Sequence, residues 1–262
     1  MNTAATAAVT RYADIGGQRL EYVRLEGKPA APTLVFLHEG LGSVAMWRDF
    51  PQRVVDATGH PALVYSRMGY GRSSPLTVAR RPDYMHVEAM SMLPALLDRL
   101  AIERPILIGH SDGASIALIH AGAHARAVRA VAVIAPHVFV EELSVISIAS
   151  ARRLYETGDL RQRLARYHTD VDSAFRGWND IWLAPEFRDW NIESFLGGIE
   201  CPVMLIQGSD DEYGTLAQID ATQRQIPGRV ERVELAACGH SPQRDQPDAT
   251  LAALARFIAA VA

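Results

Sequence analysis

Short apolar runs alternate along most of the chain with stretches of helical period. Gln18 to Leu25 alternates apolar and polar residues, as a half-buried strand does. Thr33 to Leu37, Ala62 to Tyr65, Pro105 to Ile108 and Val128 to Ile134 are apolar without alternation, the pattern of strands buried on both faces. Between them, Trp47 to Thr58, Tyr84 to Leu100 and Ala114 to Ala123 repeat apolar residues at helical spacing. Strands alternating with helices predict an α/β fold with a mostly parallel, doubly wound sheet.

After Pro136 the rhythm changes. From His137 to Gly198 there is no β-rich run, helical patterns dominate, and three of the four tryptophans (Trp178, Trp182, Trp190) fall there. The alternation resumes with strands at Pro202 to Ile206 and Val230 to Leu235 and helices at Leu216 to Ile226 and Ala249 to Val261. The expected organisation is a sheet domain of residues 1–136 and 199–262 interrupted by a helical cap at 137–198. Met1 to Thr10 has neither a basic region nor a long apolar stretch and reads as a frayed tail rather than a signal peptide.

Composition narrows the functional classes. A chain of 262 residues, 48% hydrophobic and 21% charged, fits an enzyme-sized domain with a substantial core. A formal net charge of −4 gives no reason to expect nucleic acid or an anionic membrane surface as partner. Lys28 is the only lysine and sits in an early turn, which excludes a lysine phosphate loop and a pyridoxal Schiff base. Cys201 and Cys238 should lie at opposite ends of the sheet, and two cysteines make neither a disulfide framework nor a metal site. No segment approaches the ~20 apolar residues of a membrane span, so a cytoplasmic location is the default expectation.

The strongest chemical signal is Gly109-His110-Ser111-Asp112-Gly113, between the apolar run Ile106 to Ile108 and a helix. A serine on a tight strand-to-helix turn is lifted above the sheet edge in a strained conformation, and only small neighbours let the chains pass. The hydroxyl needs a base. Of nine histidines, His240 in Cys238-Gly239-His240-Ser241-Pro242 follows the last strand, where its loop opens on the edge that carries Ser111. The neighbouring His110 should point elsewhere and pack structurally. The third group should be a carboxylate after another strand, and Ser209-Asp210-Asp211-Glu212 offers three.

These elements resemble the α/β-hydrolase superfamily along nearly the whole chain. The family's H-G-x-x-G loop falls on His38-Glu39-Gly40-Leu41-Gly42, its D-x-x-G-x-G-x-S element on Ser66 to Ser73, its acid loop G-x-x-D on Gly208 and Asp211, and its G-H loop on Gly239 and His240. The resemblance implies an eight-stranded sheet with the helical lid inserted after the sixth strand. It also implies Asp211 rather than Asp210 as the acid, an oxyanion hole from the backbone N–H groups of Gly40 and Asp112, and acyl transfer with no metal or organic cofactor. Ser111-Asp112-Gly113 is also similar to the nucleophile turn of the valacyclovirase (biphenyl-hydrolase-like) branch. Glu39 and Ser66 depart from the family glycine and aspartate.

The expected partner is a small-molecule substrate, most simply a carboxylic ester, thioester or lactone. The cap aromatics read first as packing for small helices; the alternative is that some of them, Trp182 foremost, form an apolar wall for the substrate. Glu39 and Asp112 place two carboxylates beside the nucleophile. They should be paired with an arginine such as Arg67 or Arg48, or solvated; the alternative is a negative potential favouring neutral or cationic substrates such as amino-acid esters. The competing activities are carbon–carbon bond hydrolysis with the same three residues and a non-catalytic ligand-binding homologue. A dehalogenase is disfavoured because its nucleophile is an aspartate.

Overall fold

The computed structural model describes residues 9–262. The reading of the N-terminus as a frayed tail falls, for residues 1–8, outside the described residues. Eight strands form one sheet: β1 (Arg11–Ile15), β2 (Gln18–Leu25), β3 (Leu34–Leu37), β4 (Ala62–Tyr65), β5 (Ile106–His110), β6 (Ala130–Ile134), β7 (Val203–Gly208) and β8 (Val230–Leu235). Their order is β1-β2-β4-β3-β5-β6-β7-β8, and β2 alone runs against the others. This is the α/β-hydrolase architecture, an eight-stranded mixed sheet with helices on both faces.

Successive residues of a strand serve opposite faces. Leu37, Leu107, Val131, Val133 and Leu205 pack on one side with the helix Asp112–Gly122, while Phe36, Ile106, Ile108, Ala132, Ile134 and Ile206 pack on the other with Phe50–Thr58 and Pro247–Val261. Both faces are covered, which is why the central runs lack polar alternation.

Two elements differ from the sequence expectation. β1 is an added strand: only Ala13 and Ile15 of its five residues are buried, so its apolar signal is faint. Its cue is the Gly16-Gly17 turn, where φ values of 59° and 80° suit glycine. The helical stretch at Tyr84 to Leu100 is broken by a π-helical turn at Glu88–Met92 between Tyr84–Val87 and Leu93–Arg99, which a 3.6-residue period does not reveal.

Between β6 and β7 the regular elements are helical: Glu142–Thr157, Leu160–Leu164, Val171–Leu183, a 3₁₀ turn at Pro185–Phe187 and Glu193–Leu196, with a single bridge Phe139↔Asn191. Among the described residues no helix is long and apolar enough to cross a membrane. Cys201 precedes β7 and Cys238 follows β8; the strands are parallel, so the two free thiols lie at opposite ends.

Candidate active site

Ser111 follows β5 and caps the helix Asp112–Gly122 at φ 52°, ψ −120°. A non-glycine residue held there carries strain of about 1–3 kcal/mol, which the surroundings must impose. They do so by close approach. A Cβ on Gly113 would strike the Leu37 carbonyl of β3, and one on Gly109 would strike the Gly113 carbonyl. The two glycines let the helix pass the strands, and the turn projects the serine at the sheet's edge.

His240 Nε2 lies 2.9 Å from Ser111 Oγ, and His240 Nδ1 lies 2.8 and 2.9 Å from the two Asp211 carboxylate oxygens. Asp211 Oδ1 also accepts from the backbone N–H groups of Tyr213 (2.8 Å) and Gly214 (3.1 Å), and Oδ2 from Gln207 Nε2 (2.7 Å). Burial opposes ionisation of Asp211, but the His240 hydrogen bond and charge outweigh it and hold the carboxyl below its ordinary range. Burial likewise disfavours a proton on His240, and Asp211 reverses the balance, raising the imidazole above the usual histidine value. Asp210 stands aside, exposed, its carboxylate accepting from Ser209.

Gly40 and Asp112 both line the cavity beside Ser111, and among the described residues neither backbone N–H has an acceptor within the protein. Despite Glu39 in the glycine position, the loop is fastened from below. The fully buried Arg67 guanidinium donates to the His38 carbonyl and, at 3.0 Å, to the Glu39 carbonyl, while His38 Nε2 accepts from Arg67 N–H at 3.0 Å. From above, the Trp178 ring lies where a Cβ on Gly40 would fall. Ser66, in the family's aspartate position, donates to Glu21 at 2.8 Å and accepts from Val44 N–H at 2.9 Å, so the exchange is absorbed locally.

The expected arginine partners of Glu39 and Asp112 require correction. The Glu39 carboxylate sits 3.5 Å from His110 Nδ1; burial works against its charge, but the His110 hydrogen bond prevails and its pKa falls far below the carboxylate range. The Asp112 carboxylate is fully buried and accepts from Tyr84 Oη at 2.6 Å, with no partner for its other oxygen. Arg67 acts on Asp112 through charge at longer range. His110, whose Nε2 lies 2.8 Å from the His240 carbonyl, steadies the His240 loop and does not meet the serine.

A cavity of about 510 Å³ opens above Ser111. Sequence-nominated Glu39 and Trp182 line it, as do Leu41, Met46, Ile148 and Trp178. Trp178, one of the cap tryptophans, lies four residues from Trp182 on the helix Val171–Leu183, hence on the same face. His137, just past β6, also lines the cavity; burial, then the neighbouring His240, lowers its pKa to about 3, and its Nδ1 has no partner. The cue was its place after a central strand, where sheet proteins of this class build sites. Among the described residues no cluster of histidine, cysteine, aspartate and glutamate could hold a metal ion.

Residues 34–254 match the family model described as "Alpha/beta hydrolase family". The chain is 25% identical to Epoxide hydrolase A of Mycobacterium tuberculosis, covering 96% of this chain and 98% of that protein. It is 32% identical over 108 residues to the sn-1-specific diacylglycerol lipase ABHD11 of Mus musculus, an alignment covering 41% of this chain and 33% of that protein's length. The enol-lactonase from Burkholderia xenovorans LB400 superimposes with a TM-score of 0.76 at 22% identity over 95% of this chain and 100% of that one, a likeness of fold. None of these singles out the valacyclovirase-like branch.

Proposed function

The chain belongs to the α/β-hydrolase family, and on that premise we propose that it hydrolyses a small-molecule carboxylic ester, thioester or lactone by acyl transfer through Ser111, His240 and Asp211. The observation that carries this reading is the unbroken path from Ser111 Oγ to His240 (2.9 Å) to Asp211 (2.8 Å) at the wall of a cavity. His240 Nε2 takes the proton as Ser111 Oγ attacks the substrate carbonyl. The Gly40 and Asp112 N–H groups receive the oxyanion, each such donor being worth about 3 kcal/mol in the transition state. His240 then protonates the departing alcohol or thiol, and Asp211 stabilises the imidazolium between these steps. A water deprotonated by His240 attacks the acyl-enzyme and releases the acid. The helical segment 137–198 serves as the lid.

Epoxide opening fits this site poorly. Attack by a serine hydroxyl on an epoxide carbon would leave an ether, which has no carbonyl for water to attack and would trap the enzyme. A carbonyl substrate has the exit that Ser111 needs.

The test is labelling by a fluorophosphonate probe, with Ser111→Ala as the blank, followed by ester, thioester, lactone and vinylogous diketone substrates. Labelling confined to the wild type with ester, thioester or lactone turnover supports the proposal. Turnover of the diketone alone would replace it by carbon–carbon hydrolysis, and an unlabelled, inert protein would mark a binding homologue.

A further inference from the structure

The cavity, about 510 Å³, is larger than the ester group requires, and charged residues of both signs line it. Beside Ser111 lie Glu39 and the apolar surfaces of Leu41, Trp178 and Trp182. Arg48, Arg163, Arg166 and Arg244 also line it, brought by three separate parts of the chain: the turn after β3, the helical segment 137–198, and the turn after His240. The same lining holds three carboxylates, those of Glu39, Asp112 and Glu212, against these four arginines. Arg163 is 3.3 Å from Asp159. Among the described residues no carboxylate lies within ion-pair distance of Arg48, Arg166 or Arg244.

The acids of the same cavity are already engaged. Glu39 faces His110 at 3.5 Å, Asp112 is tied to Tyr84 at 2.6 Å, and Glu212 accepts from the His240 N–H at 3.1 Å. None of the three acids forms an ion pair with an arginine of the cavity. Arg48 adds an independent sign: it is exposed yet held at φ 55°, ψ −129°, where glycine would be free of strain. Strain retained at a cavity wall points to a use for the side chain.

We propose that Arg48, Arg166 and Arg244, with Arg163 beside them, form a subsite for the anionic end of the substrate, a carboxylate or phosphate carried on a tail whose ester or thioester carbonyl lies at Ser111. This rests on the serine-hydrolase reading and names its substrate class. The guanidinium fork suits both anions, since each offers two oxygens to parallel N–H donors. The Glu39 charge beside the oxyanion loop repels an anion at the reacting end and so fixes the orientation, neutral carbonyl inward and charge outward.

The experiment compares kcat/KM for matched pairs: p-nitrophenyl pentanoate against the p-nitrophenyl monoester of glutaric acid, and butyryl-N-acetylcysteamine against butyryl-coenzyme A. The proposal expects the anionic member of at least one pair to be favoured by about tenfold or more, the scale of one charge-assisted hydrogen bond. High salt and the triple variant Arg48→Gln/Arg166→Gln/Arg244→Gln should both bring that ratio towards one. Preference within the first pair assigns a carboxylate, within the second a phosphate. The ratio is the readout, so a general loss of folded enzyme cancels, and fluorophosphonate labelling checks that the variant still folds around Ser111. Equal kcat/KM within both pairs, or a preference that survives the triple variant, overturns the subsite. Failure of the wild type to label defeats the serine-hydrolase reading instead, a separate result.

Discussion

At the rim of the sheet, Ser111, Asp211 and His240 sit on turns fixed by strands on one side and by glycine contacts on the other, whereas across the cavity residues 137–198 keep their shape through aromatic packing and surface ion pairs. A carboxylate–cation pair occurs in each region. Asp211 and His240 meet at 2.8 Å with side chains 1% and 11% exposed. Arg161 and Asp172 meet at 2.6 Å, joining two helices of the other region, with side chains 53% and 50% exposed. The distances are alike and the surroundings are not. Low dielectric around the first pair magnifies each charge, and solvent screens the second. The rim can therefore hold reacting groups, while the exposed pair adds little to stability.

The sharpest test of that contrast is Ser111→Ala, expected to lower kcat by about 10⁶-fold, as loss of a nucleophile acting as part of a unit does. Stability should hold, since alanine fits the same space. A residual rate near that of the parent would remove the rim's claim to the chemistry. Asp211→Asn comes next, at about 10⁴-fold in kcat, because an amide can favour the wrong imidazole tautomer. Its pH profile supplies a second readout. Asp211 holds the His240 pKa above the ordinary histidine value, so the wild-type activity should rise with pH through a limb above that value. In the variant the limb should move to lower pH even as the plateau falls. An unmoved limb would mean that the carboxylate is not what holds the proton.

The rim was the legible part of the sequence because its chemistry is a backbone constraint. Gly109, Gly113 and the strand-to-helix switch make sense together only if Ser111 is forced into an exposed turn. His240 could be preferred to His110 because adjacent residues of so tight a turn point apart. The choice of Asp211 over Asp210 leaned on the family pattern, and residues 137–198 were readable only as helical and aromatic-rich. Arg67 under the His38–Gly42 loop, His110 against Glu39 and Tyr84 under Asp112 were not legible. Each joins residues 28 or more positions apart whose meeting depends on the finished sheet order, and none leaves a local period or motif. The arginines of the cavity were hidden likewise, since three distant segments supply them.

Tyr84 ties the two regions together, and removing its hydroxyl gives a middle-sized effect. Its Oη donates to Asp112 at 2.6 Å and accepts from Trp182 Nε1 at 3.1 Å. Burial, then the Asp112 charge, pushes the phenol well above its usual pKa, so it remains a donor at every working pH. Tyr84→Phe would leave the buried Asp112 carboxylate with no partner on either oxygen and orphan the indole N–H, a loss of about 2–4 kcal/mol of stability. A double-mutant cycle with Trp182→Phe should show coupling, measured by denaturant unfolding. Simple additivity would show that the regions are independent and the contrast is complete.

The smallest effect belongs to the exposed pair. The Arg161 hydrogen bond, then that from Tyr155 Oη, holds the Asp172 carboxyl at a pKa of about 2. A depressed carboxyl stabilises the fold above its unfolded pKa, near 3.9, and loses that contribution as pH falls through the folded value. Half-exposed partners discount the gain to at most about 1 kcal/mol. Asp172→Asn should therefore lower Tm slightly at neutral pH, by a margin that shrinks with added salt and closes as the pH falls to about 2. kcat on a small neutral ester should be unchanged, because neither Arg161 nor Asp172 lines the cavity. A Tm loss that ignores salt would mean that this pair is buried in effect, and the two regions would then differ in place but not in kind.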